Sequence, residues 1–373
     1  MIYNRTIPIL ESLKEILEKD EDINVVRLIS NDDYLLPEID RLRPDVLIHE
    51  VGISNSNSLY LLSRVRLKHD TLPIIALSQK SRKDAIMAMY AVELGASDVI
   101  TRPKGQPDLS IAEHHFQKRL MPAIKTLAEN YKDKNSLLYG VENHQEINWL
   151  NPGKYSAKGK PEVIVIGACI GGIHSLHSLL PVLSEEFSIP IVIVQHLPGF
   201  YTEFLAKRLN LKTNINVREA KNRVLLNKRE IWVAPGGYQT TIGKTGQKYE
   251  LIVDKTPRVN TCRPSIDILF KSAAEIVGDR AIGILLSGRG RDGLNGSRYI
   301  QAAGGRVFIQ NKKSSLTWEL PGIAHRLQLA DEQWSIRELA HQMNEMSNFD
   351  YFSYRTKSGK FEIPISKAAT GSD

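Results

Sequence analysis

VIVIGACIGGI, residues 163–173, places a run of branched apolar residues directly before a glycine-rich turn with Cys169 at its centre. The apolar run is typical of a buried strand, and the glycines permit a tight turn into the next helix. The order Gly167, Cys169, Gly171 matches the Gly-x-nucleophile-x-Gly pattern of a strand-turn-helix elbow. This pattern predicts that Cys169 projects from the end of a strand, beside a helix N-terminus whose dipole favours a thiolate.

Two other interpretations of this stretch compete with a nucleophile. Free cysteine is among the most buried residue types, so Cys169 considered alone is compatible with a structural thiol. A dinucleotide-binding loop requires the order G-x-G-x-x-G, and Cys169 stands where its second glycine belongs. The Lys-Ser/Thr pair of a P-loop is absent as well. The choice between nucleophile and buried thiol therefore depends on which residues follow the neighbouring strands.

Short apolar strands alternate with helix-period segments on both sides of this stretch. DVLIHEV and PIIALSQ are examples in the N-terminal part, and VIVIGA, IPIVIVQH and AIGILLSG in the C-terminal part. Such alternation predicts an α/β fold with two doubly wound parallel-sheet domains. The sequence predicts a first domain at residues 1–106 and a linker with one helical stretch at 107–160. A second domain follows at 161–350 and a polar tail at 351–373.

The composition restricts the class of protein. The chain has 373 residues, 42% hydrophobic and 24% charged, which is typical of globular domains. With only two cysteines and no signal-peptide pattern, a cytoplasmic location is expected. Apolar runs are too short for membrane insertion. The net charge of +7 is scattered and not interleaved with aromatic residues, so nucleic-acid binding is not predicted. The sequence predicts neither a metal site nor a cofactor.

Two neighbouring strands end in residues that could activate a thiol. The strand IPIVIV leads into His196, and the strand IGILL leads into a glycine-rich loop that contains Asp292. Alone, a histidine at a strand end is more often structural, and an aspartate in such a loop more often caps a turn. Together with Cys169 they form the set that nucleophilic catalysis requires, with an imidazole as base and a carboxylate that orients it. The sequence therefore predicts that all three side chains meet in one crevice.

Several motifs resemble the catalytic domain of the chemotaxis protein-glutamate methylesterases. They are GACIGG, IVQHLPGF with FLAKRLN, IWVAPGG, NTCRPSIDILF, and LLSGRGRDGLNG with the following AAGG. The first hundred residues resemble the receiver domain of the same enzymes. The resemblance implies a flavodoxin-like receiver joined to a methylesterase-type α/β domain. It also implies a two-component response regulator that hydrolyses glutamyl methyl esters, and often deamidates glutamines, on the cytoplasmic helices of methyl-accepting chemotaxis receptors.

The resemblance assigns roles in the second domain and also reveals departures. The family's triad is Ser, His and Asp; His196 and Asp292 carry over, and the serine falls on Cys169. Ile170, Gly171 and Arg289 fall in the loops implied to form the oxyanion site. Arg289 stands where methionine is usual, so its cation either stabilises a thiolate or oxyanion or is a solvated loop residue.

The receiver departs further from the family pattern. The chain is expected to begin inside the first strand, with Asn4 and Arg5 in place of the acidic pair that holds Mg²⁺. Glu50 occupies the phosphoacceptor position, and Arg102 replaces the usual lysine, whereas Ser78 fits the family's hydroxyl position. We therefore expect that Glu50 is not phosphorylated. If a histidine kinase binds this protein, we expect that it transfers no phosphoryl group to it.

Three functions remain open from the sequence. The first is a methylesterase, possessing glutaminase activity as well, with a Cys-His-Asp triad, since an ionised thiol beside an imidazole is a strong nucleophile. The second is a catalytically inactive regulator that binds receptors, because the longer bond to sulfur displaces the nucleophile from a site shaped for serine. The third is a hydrolase of small esters, which the same triad permits.

Overall fold

The computed structural model describes residues 1–52, 55, 57–102, 109–133, 160–259 and 262–347. The polar tail predicted at residues 351–373 and residues 134–159 of the predicted linker lie outside this part of the chain. Within it, no helix is both long enough and apolar enough to span a membrane.

The N-terminal domain contains a five-stranded parallel sheet with helices between its strands. Its strands are β1 (Ile2–Tyr3), β2 (Leu28–Ile29), β3 (Leu47–Val51), β4 (Ile74–Ser78) and β5 (Asp98–Thr101). Its helices are α1 (Ile7–Leu17), α2 (Asp32–Leu42), α3 (Ser58–Lys68), α4 (Arg82–Glu93) and α5 (Leu109–Asp133). The strand order β2-β1-β3-β4-β5 is that of flavodoxin-like sheets, which confirms the predicted fold class for this half.

The C-terminal domain is built on a seven-stranded parallel sheet with the order β15-β14-β13-β6-β7-β10-β8. The strands of this domain are β6 (Val163–Ala168), β7 (Ile191–Gln195), β8 (Asn216–Glu219), β9 (Val224–Leu225), β10 (Glu230–Val233), β11 (Gln239–Thr245), β12 (Lys248–Asp254), β13 (Ala281–Leu285), β14 (Arg306–Gln310) and β15 (Glu332–Trp334). The helices are α6 (Gly172–Leu179), α7 (Tyr201–Asn210), α8 (Ile266–Val277), α9 (Leu294–Ala302), α10 (Glu319–Arg326) and α11 (Ile336–Ser347). The predicted α/β architecture is confirmed here too.

The central strands β6, β7 and β13 are buried at every residue. Helices cover both faces of a doubly wound sheet, so its central strands are continuous apolar runs. This explains why VIVIGA, IVIVQ and AIGIL carry almost no polar residues. Each fully buried Val, Leu or Ile side chain contributes about 1.5–3 kcal/mol relative to an exposed one. The strand ends that carry the candidate site are therefore held by the most strongly stabilised part of the domain.

A separate antiparallel sheet with the order β11-β12-β9 was not predicted. Of its strands, only KYELIVD at β12 carries a clear strand signal. The β11 sequence QTTIGKT has two threonines together and a glycine, so it lacks a simple polar and apolar alternation. It is a strand because it pairs with β12 from Gln239↔Asp254 to Thr245↔Lys248, and not because its own sequence favours a strand.

Helix α5 packs against the sheet of the N-terminal domain. Phe116, Leu120, Ala123 and Leu127 are buried and belong to the same apolar cluster as Leu13 of α1. Their spacing of three or four residues places them on one face of the helix. We therefore propose that the first domain extends through α5, beyond the boundary at residue 106 predicted from the sequence.

The two domains contact each other through α4 and α7. The Tyr201 hydroxyl donates to the Gln79 carbonyl at 2.8 Å, and its oxygen lies 3.0 Å from the Ser78 hydroxyl oxygen. Arg208 Nε donates to Glu93 Oε1 at 2.7 Å. One apolar cluster includes buried side chains of both domains, for example the side chains of Leu47, Ala88, Ile166 and Leu205. The Ser78 hydroxyl of the first domain is thus hydrogen-bonded to Tyr201 of the second domain.

Candidate active site

The turn after β6 holds Cys169 through its backbone. The Cys169 N–H donates to the Ser287 carbonyl at 3.0 Å, and the Cys169 carbonyl accepts from Gly172 N–H at 2.9 Å. The same carbonyl accepts from Gln195 Nε2 at 2.8 Å. Gly171 has φ +77°, and a Cβ there would lie 2.7 Å from the Leu316 Cβ. A side chain at position 171 would therefore strain the turn that presents the thiol.

The three predicted site residues follow adjacent strands. Strand β6 lies between β13 and β7 in the sheet, so the loops after these strands meet at one edge. His196 Nε2 is 2.8 Å from Asp292 Oδ2. The charges of Cys169 and His196 act on each other, so the two side chains lie in one site. The structure therefore brings together Cys169, His196 and Asp292, although they are separated widely along the chain.

The start of α8 surrounds the Asp292 carboxylate with donors. The Ser265 hydroxyl donates to Oδ1 at 2.7 Å, and the backbone N–H groups of Ile266 and Asp267 donate at 2.8 and 3.1 Å. Burial alone would raise the pKa of Asp292, but the hydrogen bond and charge of His196, with the donors of α8, hold it below its usual range. Asp292 therefore stays ionised and can stabilise a positive charge on the imidazole. Sequence reasoning missed Ser265, although a serine before the apolar run IDILF is an N-cap signal.

The thiol and the imidazole stabilise each other's charged forms. Burial opposes ionisation of Cys169, but the charge and hydrogen bond of His196, then the charge of Arg119 and the Arg289 backbone N–H, lower the pKa of the thiol. Burial likewise opposes protonation of His196, yet Cys169 and Asp292 together raise its pKa well above the ordinary value. These directions favour a thiolate and imidazolium pair, which is the reactive form of a nucleophilic cysteine.

We expect Cys169 to remain reactive towards iodoacetamide at a pH where an ordinary thiol is protonated. Because the pKa of Cys169 is lowered, the thiolate persists as the pH falls and is lost only below the shifted pKa. The midpoint of the alkylation rate against pH should therefore lie below about 8.5, the ordinary thiol value. Mass spectrometry of tryptic peptides follows Cys169 and Cys262 separately. A Cys169 midpoint at or above the ordinary value would contradict the thiolate and imidazolium pair.

The oxyanion loop residues predicted from the sequence lie around the thiol. Within the described part of the chain, the backbone N–H groups of Ile170 and Gly171 have no hydrogen-bond acceptor. The Arg289 backbone N–H is directed at the Cys169 sulfur. The Arg289 guanidinium instead points to α5, where it donates to the Pro122 carbonyl at 2.9 Å. The backbone of this loop, and not its cation, is next to the nucleophile.

Cys262 is a further side chain at the site that the sequence did not predict. Its thiol hydrogen-bonds to the His196 side chain. One ligand atom each of His196, Cys262 and Asp292 lies within 4.8 Å of the others, so the group has the residue types of a metal site. Both Asp292 oxygens, however, already accept hydrogen bonds from His196 and α8. The carboxylate is therefore suited to orienting the imidazole rather than to binding an ion.

Glu50, which the sequence predicts at the phosphoacceptor position, forms an ion pair with Arg102. Arg102 Nη2 lies 2.8 Å from Glu50 Oε1, and both side chains are largely buried. Burial raises the pKa of Glu50, although the charge of Arg102 opposes this. Asn4 is buried, and its Oδ1 accepts from a backbone N–H of the following turn. Arg5 Nε donates to Asp32 Oδ1 at 3.0 Å, so the Arg5 guanidinium faces the Asp32 carboxylate.

A receiver-type sheet joined to an α/β domain that gathers a thiol, an imidazole and a carboxylate defines a response regulator with a hydrolase-like output domain. Residues 164–343 match the CheB methylesterase family model, and residues 6–112 match the response regulator receiver domain. A protein-glutamate methylesterase/protein-glutamine glutaminase of Trichodesmium erythraeum is 31% identical over 345 residues, covering 92% of this chain and 97% of that protein. The chain belongs to the CheB methylesterase family.

A curated relative and a solved catalytic domain, both from Thermotoga maritima, are also similar. Its protein-glutamate methylesterase/protein-glutamine glutaminase is 29% identical over 309 residues, covering 83% of this chain and 87% of that protein. The crystal structure of the T. maritima CheB methylesterase catalytic domain covers 50% of this chain and 100% of its own, with 29% identity and a TM-score of 0.49.

Proposed function

We propose that this protein hydrolyses γ-glutamyl methyl esters, and deamidates glutamines, on the cytoplasmic helices of methyl-accepting chemotaxis receptors. Cys169 is the nucleophile, His196 the base and acid, and Asp292 the residue that orients the imidazole. The observation that carries this proposal is the shared imidazole, which lies 2.8 Å from the Asp292 carboxylate and lowers the pKa of the Cys169 thiol. Family membership supports the choice of substrate.

The reaction follows from these contacts. The Cys169 thiolate attacks the γ-carbonyl carbon, and the carbon-oxygen bond of the ester breaks as His196 protonates the departing methanol. The resulting thioester is attacked by a water molecule whose proton passes to His196. The carbon-sulfur bond then breaks and releases a glutamate side chain and the thiolate. With a glutamine substrate the same steps release ammonia in place of methanol.

The backbone around the thiol suits the charge that develops in this reaction. Attack on the carbonyl carbon places a negative charge on the substrate oxygen, which preorganised donors stabilise strongly. The N–H groups of Ile170 and Gly171 have no acceptor in the described part of the chain. We assign them to the oxyanion. These donors belong to the backbone, so replacing the Cys169 side chain does not remove them.

Methanol release from a methylated receptor fragment tests the proposal. We expect methanol in proportion to the enzyme and time, and ammonia from a fragment that carries unmodified glutamines at the same positions. Binding of the fragment without release of either product would instead support a non-enzymatic regulator. Turnover of short esters without turnover of the receptor fragment would support a general esterase.

We predict that aspartyl-type phosphorylation does not control this protein. Glu50 is paired with Arg102 at 2.8 Å, and Asn4 and Arg5 supply no carboxylate for Mg²⁺. Incubation with acetyl phosphate and Mg²⁺, followed by intact-mass measurement, should show no phosphoryl adduct, while a receiver with its aspartate gives one in parallel. The Glu50→Asp variant should also remain unmodified. A stoichiometric adduct on the wild-type chain would refute this, and any histidine kinase would then act by phosphotransfer.

A further inference from the structure

Helix α5 forms hydrogen bonds with the loops that follow two of the three site strands. The Arg119 Nη2 atom donates to the His196 carbonyl at 3.0 Å, in the loop after β7. The Pro122 carbonyl accepts from Arg289 Nη1 at 2.9 Å, in the loop after β13. Ile170, in the turn after β6, packs against the apolar cluster that includes Phe116. One helix therefore fixes two loops of the site, and the third packs against the apolar cluster to which this helix contributes.

Arg119 is the cation of α5 that acts on the thiol. Its guanidinium donates to a neutral carbonyl oxygen and forms no ion pair among the described residues. A charge that no close carboxylate neutralises acts over a longer distance in a buried site than at the surface. The charge of Arg119 lowers the pKa of Cys169, in addition to the larger contribution of His196. The guanidinium thus has a geometric contact with one site loop and an electrostatic effect on another.

We propose that Arg119 is a positioning residue of the active site, which fixes the loop that carries His196 and supplies a positive charge beside Cys169. This inference rests on the proposed function, because it deepens the role of the same thiol. It makes α5 a permanent component of the reactive site and not only a cover over it. Loss of the charge weakens the nucleophile even when the fold is intact.

Several other charged groups face Arg119 or Cys169. Asp98 of β5 interacts with the charge of Arg119, and burial raises the pKa of Asp98 to about 7. His115 lies on the same helix, and burial lowers its pKa, with the charge of Arg119 adding to this effect. His196 and Asp292 face the thiol from the loops after β7 and β13. Because Asp98 titrates near neutrality, its effect must be separated from that of Arg119.

The experiment measures the ionisation of Cys169 directly. In a Cys262→Ser background Cys169 is the only thiol, and its alkylation rate by iodoacetamide is followed against pH in the full chain. Arg119→Met should move the midpoint upward and slow alkylation about three- to tenfold below the midpoint, since a tenfold change in thiolate corresponds to one pH unit. Arg119→Lys keeps the charge and should restore most of the rate. Asp98→Asn, in the same background, removes the carboxyl whose pKa is about 7, so that its titration no longer contributes to the alkylation profile.

Lys118→Met provides the matched control, because it removes an exposed cation from the neighbouring position of the same helix. It should leave the midpoint unchanged. A purely structural role for Arg119 would lower the thermal unfolding temperature of Arg119→Met without moving the midpoint, and this result would overturn the inference. An equal shift in Lys118→Met would overturn it too. The thiol titration needs no substrate, so its outcome is independent of methanol release, which tests the proposed function.

Discussion

Replacing Cys169 by alanine is expected to reduce methanol release about 10⁴-fold or more, because loss of a nucleophile removes the covalent route entirely. The Cys169 backbone is held by hydrogen bonds with Ser287, Gly172 and Gln195. Removing the sulfur leaves these backbone bonds in place, so the thermal unfolding temperature should change little. Initial rates on a methylated receptor fragment, measured beside unfolding, separate loss of chemistry from loss of fold.

The Cys169→Ser variant is the matched control for this prediction. A hydroxyl retains the same imidazole and carboxylate, so activity should fall between those of the wild-type protein and Cys169→Ala. Oxygen is bonded closer to Cβ than sulfur is, and misplacement of about 1 Å can cost on the order of 10²-fold in rate. If Cys169→Ala kept full turnover and Cys262→Ala lost it, the nucleophile would be Cys262.

The second large effect is expected from Asp292→Asn. The carboxylate accepts from His196, the Ser265 hydroxyl and backbone N–H groups of α8, all at 2.7 to 3.1 Å. An asparagine amide turns one acceptor into a donor, so it cannot satisfy all of these donors and loses the charge opposite the imidazolium. We expect kcat to fall by about 10³- to 10⁴-fold, as in other triads whose carboxylate is neutralised. Alkylation of Cys169 at neutral pH should slow as well.

Asp267→Asn is the comparison for that experiment. Asp267 is also a buried carboxyl at the start of α8, but its Oδ1 accepts from the N–H groups of Gly293 and Gly296. Its replacement should lower the free energy of unfolding, with a smaller effect on the pH dependence of Cys169 alkylation. Equal changes in alkylation for Asp292→Asn and Asp267→Asn would mean that Asp292 acts only through stability.

The sequence was sufficient to predict the doubly wound fold and the convergence of its three strand ends. Cys169, His196 and Asp292 each follow a strongly apolar strand, and parallel strands deliver their ends to one edge. The side-chain type of each residue and its position directly after a strand can both be read from a short segment of the sequence. That is why the proximity of His196 to Asp292, which lie far apart along the chain, could be anticipated from a pattern of short segments.

The residues that tune this triad could not be predicted in the same way. Ser265 reaches Asp292 because α8 begins against the loop after β13, and Cys262 reaches His196 from the segment before that helix. Arg119 lies on a helix of the other domain. Nothing in the local sequence of these residues specifies a partner, since the contacts arise from tertiary packing. Strand β11 was missed for a related reason, because its order comes from pairing with β12.

The apolar cluster that joins the two domains limits which amino-acid substitutions either domain can tolerate. Its buried side chains come from both sheets, for example Leu47 of β3 and Ile166 of β6. Because a core is close-packed, a cavity opened in one domain also removes packing contacts from the other. Packing between the domains therefore constrains the receiver fold, and this constraint does not depend on whether Glu50 can be phosphorylated.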